Sequence, residues 1–296
     1  MKILVTGATG FVGKELVELL RREGKTVTVV GRDNLKLLSC FPDSSIIKEH
    51  TDYSVESLTG LMEGQDIVVH LASALMQRNT HPLNISDFQI NLELIQNLVI
   101  AADANNIRRL INISSISVYP LGSKVTELQP ACPWNIYGVS KANADTYLLY
   151  ANNKTKVELV SLRLARLFGD GERSGLMFTE FVDRARRGES LEIYGDGSST
   201  IEYIYIQDAI AAILAVVQAD KLQGIYNVGA GRSYSVLEIA EVVNEVFENV
   251  KPIKFIDANQ HPVKGTVMEV GKLKSAIGWC PQWTLLQSVM DIKLKR

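Results

Sequence analysis

Cysteine is scarce in this 296-residue chain: Cys40, Cys132 and Cys280 are an odd number, with no Cys-x-x-Cys spacing. That argues against a disulfide framework and against a zinc site, so no metal is expected, and a reduced cytoplasmic setting fits. A charge excess of either sign is missing too. The formal net charge is -2 and the pI about 6.1, with Lys and Arg scattered and not interleaved with aromatics. A nucleic-acid partner is therefore not expected, and small-molecule chemistry is the better reading. Long hydrophobic runs are lacking: the longest, near Ala209 to Val217, is too short to span a bilayer. The chain opens on a strand-like run with no signal peptide, so a soluble, cytoplasmic protein without a membrane partner is expected. Internal repeats, low-complexity tracts and linkers are also missing, which implies parts that share one body.

What is present begins at residue 1. Met1 to Thr6 is an apolar run of strand length that breaks into Gly7-Ala-Thr-Gly10-Phe-Val-Gly13 before helical apolar spacing begins at Val12, Leu16, Val17, Leu19 and Leu20. Strand, glycine turn and helix in that order suit a dinucleotide pyrophosphate. Gly7 supplies the tight turn, Gly10 a close backbone approach and Gly13 close helix packing, and the free N–H groups at the helix start favour an anion. Thr9, Phe11 and Val12 belong to the same expected cofactor site.

Through the first half, Val- and Ile-rich runs alternate with helical patterns, as βαβ units do. Strands are expected near Ile3 to Thr6, Thr26 to Val30, Ser45 to Lys48, Asp66 to Leu71, Arg109 to Ile113 and Val157 to Leu162, with long helices at Asp87 to Ala104 and Tyr137 to Ala151. This predicts an α/β protein: a Rossmann-type doubly wound parallel sheet with a smaller C-terminal α/β substrate domain. Residues 1–165 would form the NAD(P)-binding domain, with 195–217 returning to it, while 166–194 and 218–296 would bind substrate.

The second strand ends in Gly31-Arg32-Asp33. Glycine leaves room for a ribose 2'-phosphate, and Arg32 offers a planar, permanently charged partner, so NADP is the expected cofactor; if Asp33 reaches the ribose instead, it is NAD. Further along, Tyr137-Gly-Val-Ser-Lys141 puts a phenol and an ammonium on one helix face. A nearby cation favours phenolate and would make Tyr137 a usable acid/base.

Taken together these motifs resemble extended short-chain dehydrogenase/reductases of the nucleotide-sugar epimerase and dehydratase type. Thr6 with the glycine turn is similar to that family's T-G-x-x-G-x-x-G. Asn112-Ile-Ser114-Ser115-Ile-Ser117-Val118-Tyr119 resembles its S-S-x-x-V-Y, which makes Ser115 the catalytic serine beside Tyr137 and Lys141, with Ser114 and Ser117 as runners-up. The resemblance also implies cofactor contacts at Asp52, Tyr53, Leu71 and Ala72, the last two within His70-Leu-Ala72-Ser73, and gives His70 no proton-transfer role. Asn91 would be structural or hold water. Gly195-Asp-Gly197 to Asp208, Tyr226-Asn-Val-Gly229-Ala-Gly231, and Leu273 to Trp279 with Pro281 are similar to three further family stretches.

Departures from that pattern bear on the substrate. Ile201 stands where family members that bind a nucleoside diphosphate place an Arg, and His261-Pro-Val-Lys264-Gly replaces an R-P-G-D stretch. Arg166 replaces the Asn of R-x-x-N-x-x-G, so Arg166, with Lys264 or Arg173, is expected to neutralise the diphosphate. Ser73, Ser115, Tyr194 and Ile201 complete the expected substrate contacts, and Leu75 to Ser86, Ser174 to Phe181 and the residues after Ile201 would shape the pocket. The acid/base pair of a 4,6-dehydratase is replaced by Ile116 and Ser117, which leaves no evident proton shuttle for eliminating water.

What the resemblance implies is a UDP-sugar 4-epimerase-like enzyme. An NADPH-dependent ketoreductase and a non-catalytic NADPH-binding regulator stay open, the intact Ser115, Tyr137 and Lys141 arguing against the regulator. In the family the two long helices pair across a homodimer, and here they carry apolar residues beyond one stripe: Ile95, Leu98, Leu148 and Leu149.

Overall fold

Alternating apolar side chains on short strands give a sheet two greasy faces, and each face needs helices to cover it. The computed structural model, which describes residues 1–74, 85–257 and 261–295, meets that need with a three-layer α/β core. Its first half runs β1 (Lys2–Thr6), α1 (Phe11–Arg22), β2 (Thr26–Gly31), α2 (Asn34–Cys40), β3 (Ile47–His50), α3 (Val55–Met62), β4 (Ile67–His70), α4 (Ser86–Ala104) and β5 (Arg109–Ser115). A single 3-10 turn at Ile116–Val118, β6 (Lys124–Val125), α5 (Ile136–Ala151) and β7 (Glu158–Leu164) follow.

The remainder carries shorter pieces: β8 (Arg166–Phe168), α6 (Met177–Arg186), β9 (Glu192–Tyr194), β10 (Thr200–Ile201), β11 (Tyr203–Tyr205) and α7 (Ile206–Gln218). Then come β12 (Gly224–Val228), β13 (Tyr234–Ser235), α8 (Val236–Phe247), β14 (Lys254–Ile256), β15 (Val267–Met268), α9 (Gly271–Ile277) and α10 (Leu285–Lys295). No helix among the described residues is long and apolar enough to cross a membrane.

The main sheet has seven parallel strands in the order β12-β7-β5-β4-β1-β2-β3. The order reverses between β1 and β4, and it is at the carboxyl ends beside such a switch that open α/β sheets bind ligands. Strand alternation splits the interior in two. Ile3, Val5, Ile67, Val69 and Ile111 face Leu16, Val17 and Leu20 of α1 and Ile210 and Ile213 of α7. Leu4, Val68 and Leu110 face Leu58 and Met62 of α3, Ile95 and Leu98 of α4, and Leu148 of α5.

Two expectations need correcting. The third strand lies two residues later than the expected Ser45 to Lys48, because its exposed, charged sequence Ile-Lys-Glu-His carries little apolar pattern. More consequentially, β12 pairs with β7 from Gly224↔Val160 to Val228↔Leu164, so residues 224–228 belong to the main sheet and not to a substrate domain. Of the returning segment 195–217, α7 packs on α1 and the sheet, whereas β10 and β11 join small two-stranded sheets with β13 and β8. Those small pairs, with β9–β14 and β6–β15, carry residues 166, 201 and 263–266 to one side of the sheet's carboxyl end.

Candidate active site

Backbone contact, more than side-chain chemistry, dictates the glycines after β1. Gly7 has φ +67°, and a Cβ there would lie 2.5 Å from the Ala72 amide nitrogen; one at Gly13 would lie 2.5 Å from the Gly7 carbonyl oxygen. The turn is thereby clamped between α1 and the end of β4, which brings Gly7, Gly10 and Gly13 beside Leu71 and Ala72. Gly10 is the N-cap of α1 and offers no side-chain cap, so first-turn amides keep their capacity to bind an anion. Thr6 ties the two strand ends: its hydroxyl accepts from the Ala72 amide (3.2 Å) and shares a hydrogen bond with His70 Nδ1 (2.8 Å). Burial, with the Lys141 cation nearby, pushes His70 down to about 3, so it stays neutral.

Beyond the carboxyl end of β2, Arg32 is exposed and lies close enough to Tyr53 to act on its phenol electrostatically. Asp33 caps α2 by accepting the Lys36 amide at 2.9 Å. Asp52 closes a turn on the Ser54 amide, and Tyr53, at φ +65°, is held by Asn97 through its carbonyl oxygen.

Across β4, Ser115 ends β5 and accepts the Ser117 amide at 3.1 Å, starting the 3-10 turn. Asn135 caps α5 by accepting the Gly138 amide at 2.7 Å. Gly138 must be glycine, since a Cβ there would stand 2.0 Å from the Ser117 carbonyl oxygen. This close approach brings Tyr137 to the same cavity wall as Ser115. Lys141, one turn on, donates to the Ile113 carbonyl at 2.8 Å, with its Nζ 5.7 Å from the Tyr137 ring centre.

Burial pushes the Tyr137 phenol up to about 12 and the Lys141 ammonium down to about 8. The sequence reading expected the ammonium to make the phenol acidic. In the protein alone, desolvation outweighs that attraction and Tyr137 is a protonated hydrogen-bond donor. The runner-up serines line the same cavity: Ser114 donates to Asp145 (3.1 Å) and is engaged, and Ser117 is buried, with 9% of its surface exposed.

Sequence reasoning missed the layer behind this row. Asp145, one turn beyond Lys141, also accepts from Ser161 Oγ (2.5 Å) and Arg163 Nε (2.8 Å). Arg163 donates on to the Tyr119 hydroxyl (2.7 Å), which donates to Asn227 Oδ1 (2.8 Å). The signal was available, because 137, 141 and 145 share one helix face. Asn91 is structural: it accepts the Ala74 amide (2.7 Å) and donates to Ser140 Oγ (3.2 Å). Ser73 lies within 3.5 Å of Asn91 Oδ1 in the same segment.

Ser115 and Tyr137 open onto a cavity of about 760 Å³, whose walls include Arg166, Arg173, Glu172 and Ile201. Arg166 donates from Nε to the Tyr203 hydroxyl at 3.1 Å. Three expected substrate contacts, Ser73, Tyr194 and Lys264, are not among the residues that line it. Tyr194 is 67% exposed on β9, and Val263 and Gly265 line the cavity while the Lys264 side chain between them lies exposed beside Gly122. Most of the expected pocket segment Leu75 to Ser86, residues 75–84, falls outside the described residues.

Two carboxylates that the sequence reading did not weigh line the same cavity. Glu202 accepts the amides of Gly231 (2.8 Å) and Met268 (2.7 Å), and a Cβ at Gly229 would stand 2.4 Å from its Oε1. The Gly229-Ala-Gly231 stretch is thus wrapped around a structural carboxylate. Glu172 has no such embrace, and its Oε2 is buried without a hydrogen-bond partner.

Residues 3–229 match the NAD dependent epimerase/dehydratase family. The chain belongs to that family. It is an enzyme of the extended short-chain dehydrogenase/reductase type, as the motifs implied. Over 308 residues it is 29% identical to the low-salt glycan biosynthesis protein Agl12 of Haloferax volcanii, covering 99% of both chains. It is 27% identical to the uncharacterized UDP-glucose epimerase YtcB of Bacillus subtilis, covering 96% of this chain and 94% of that one. Among solved structures, UDP-N-acetylglucosamine 4-epimerase from Bacillus cereus superposes with a TM-score of 0.85 at 28% identity, over 100% of this chain and 96% of its own.

Proposed function

We propose that this enzyme is a nucleotide-sugar 4-epimerase that uses a tightly held nicotinamide dinucleotide, with UDP-sugars as the favoured substrates. The observation that carries the reading is the single cavity onto which Ser115 and Tyr137 open together with two arginines, Arg166 and Arg173. Its volume, about 760 Å³, suits a ligand of nucleotide-sugar size. The turn at Gly7, Gly10 and Gly13 suits a pyrophosphate, since Gly7 and Gly13 pack their backbone too closely on β4 and on the turn itself to carry side chains, and no side chain caps the first amides of α1.

In this reading Ser115 and Tyr137 hold the reacting sugar hydroxyl, and Tyr137 takes its proton and later returns it. Lys141, fixed on the Ile113 carbonyl, keeps a positive charge one turn from the phenol. A bound dinucleotide would take hydride from the sugar carbon and give it back, and its oxidised ring would add the positive charge that Tyr137 needs to ionise. Arg166 and Arg173 neutralise the diphosphate, replacing the cations missing at Ile201 and in the 261–265 stretch; Lys264, which does not line the cavity, drops out of this role. With Ile116 and Ser117 in place of a carboxylate pair, dehydration is not proposed.

Arg32 and Gly31 favour NADP. Asp33 is committed to capping α2, and the nearest contact of a Cβ at Gly31 would be an ordinary 3.6 Å to Leu37, so packing alone does not demand glycine there. That observation also supports a second reading, a ketoreductase that consumes NADPH. Incubation with UDP-glucose and UDP-N-acetylglucosamine separates the two: an epimer formed without net change in cofactor absorbance supports the first, and stoichiometric NADPH oxidation with a keto-sugar supports the second. Y137F should lower either rate by roughly 10³-fold while leaving the cofactor bound. Near wild-type turnover in Y137F would refute both.

A further inference from the structure

We propose that Glu172 reads the sugar: its carboxylate accepts hydrogen bonds from the hydroxyls of a neutral sugar ring and turns away sugars that themselves carry a carboxylate. The inference rests on the nucleotide-sugar reading above and deepens it. Glu172 sits in the loop that leaves β8, and a Cβ at Gly169 in that loop would lie 2.6 Å from Ile206 Cγ2 and 3.3 Å from the Phe11 ring. The loop is therefore pressed between the start of α7 and the glycine turn, and from there it delivers Glu172 and Arg173 to the cavity shared with Ser115 and Tyr137.

The carboxylate has no task in holding this loop. The Glu172 amide bonds the Gly169 carbonyl (3.3 Å), the Thr179 hydroxyl reaches the carbonyls of Arg173 (3.3 Å) and Leu176 (2.8 Å), and the Leu176 amide returns to Thr179 (3.2 Å). Among the described residues Glu172 Oε2 is one of two buried side-chain oxygens or nitrogens without a partner, and the other, Gln65 Oε1, does not line the cavity. Leaving a carboxylate oxygen buried and unpaired is costly, and the cost is recovered when a ligand donates to it. Burial holds Glu172 up at about 7 against the pull of Arg166 and Arg173, so hydroxyl donors shift it toward the ionised acceptor.

Charge counting gives the selectivity. The diphosphate diester of a nucleotide sugar carries two negative charges, and Arg166 and Arg173 are the two arginines of the cavity wall. Once they are matched, a carboxylate on the sugar would meet Glu172 with no spare guanidinium between them. The other carboxylate of the wall, Glu202, already accepts backbone amides. Leu164, Leu167, Leu176 and Ile201 make part of the remaining wall apolar, and its polar side chains Ser114, Asn135, Thr200 and Thr266 each already hydrogen-bond within the protein, whereas Glu172 Oε2 does not.

The test is equilibrium binding of UDP, UDP-glucose and UDP-glucuronate to the cofactor-loaded wild type, E172Q and E172A. Both variants should lose about tenfold in affinity for UDP-glucose, keep their affinity for UDP within about twofold, and gain about tenfold for UDP-glucuronate relative to UDP-glucose. Equal losses for both sugars, an equal loss for UDP alone, or unchanged binding with a fallen turnover number would overturn the assignment, the last by making Glu172 a proton carrier. If the wild type binds none of the three, the nucleotide-sugar reading falls with it; binding of UDP without the predicted shift in sugar preference overturns Glu172's role alone.

Discussion

Tyr137 and Lys141 show how a residue's surroundings can reverse the expectation drawn from its neighbour. Spacing alone makes the pair look like a phenol acidified by an ammonium, whereas burial drives the two in opposite directions, Tyr137 up to about 12 and Lys141 down to about 8. A lysine with a lowered value keeps its charge below about pH 8 and loses it as pH rises through that point. Turnover that depends on the ammonium should therefore fall above about pH 8, and a pH–rate profile flat to pH 10 would dissociate Lys141 from the proton step. Beyond β2, Arg32→Ala should weaken NADP binding by roughly 10- to 100-fold with little effect on NAD, measured by titration of the cofactor-free protein; an unchanged ratio would return the ribose to Asp33. Tyr137, Lys141 and Ser115 were legible because they sit in recognisable spacings. Glu172 was not, because an isolated Glu between glycines looks like any solvated loop residue until the fold buries one of its oxygens.

At the scale of elements, the site depends on how α5 meets the turn after β5. Asn135 starts the helix, and Gly138 lets its first turn come within contact of the Ser117 carbonyl. The Tyr137–Lys141–Asp145 face is thereby laid along the row of serines on β5. Gly138→Ala should push the helix away from that turn, costing about 3 kcal/mol in denaturant unfolding and most of the activity. Wild-type stability and turnover in that variant would show that the approach is not needed. Long amphipathic elements were readable from sequence, but short ones were not: β12 was missed as a sheet strand because Gly224 to Val228 follows a helix and precedes a glycine loop, cues that suit either domain. Its place is fixed by pairing with β7, a long-range contact that local pattern does not report.

At the scale of the whole molecule, the question is what covers α4 and α5. Three of the four residues expected to be surplus to the helices' own packing, Ile95, Leu98 and Leu148, are at most 1% exposed and belong to the core under the sheet; only Leu149 faces outward. A homodimer on these helices would have to bury other side chains. Ile90, Leu92 and Ile100 on α4, with Leu149 and Tyr150 on α5, each keep more than a third of their surface exposed. Such residues on two packed neighbouring helices form the kind of apolar surface that a second copy buries. If these helices pair across a twofold axis, I100E combined with L149E places charges into that interface without touching either core. The double variant should elute as a folded monomer where the wild type is a dimer, as light scattering coupled to size exclusion would report. A wild type already monomeric at micromolar concentration, or a variant still dimeric, would mean that these helices do not form the interface.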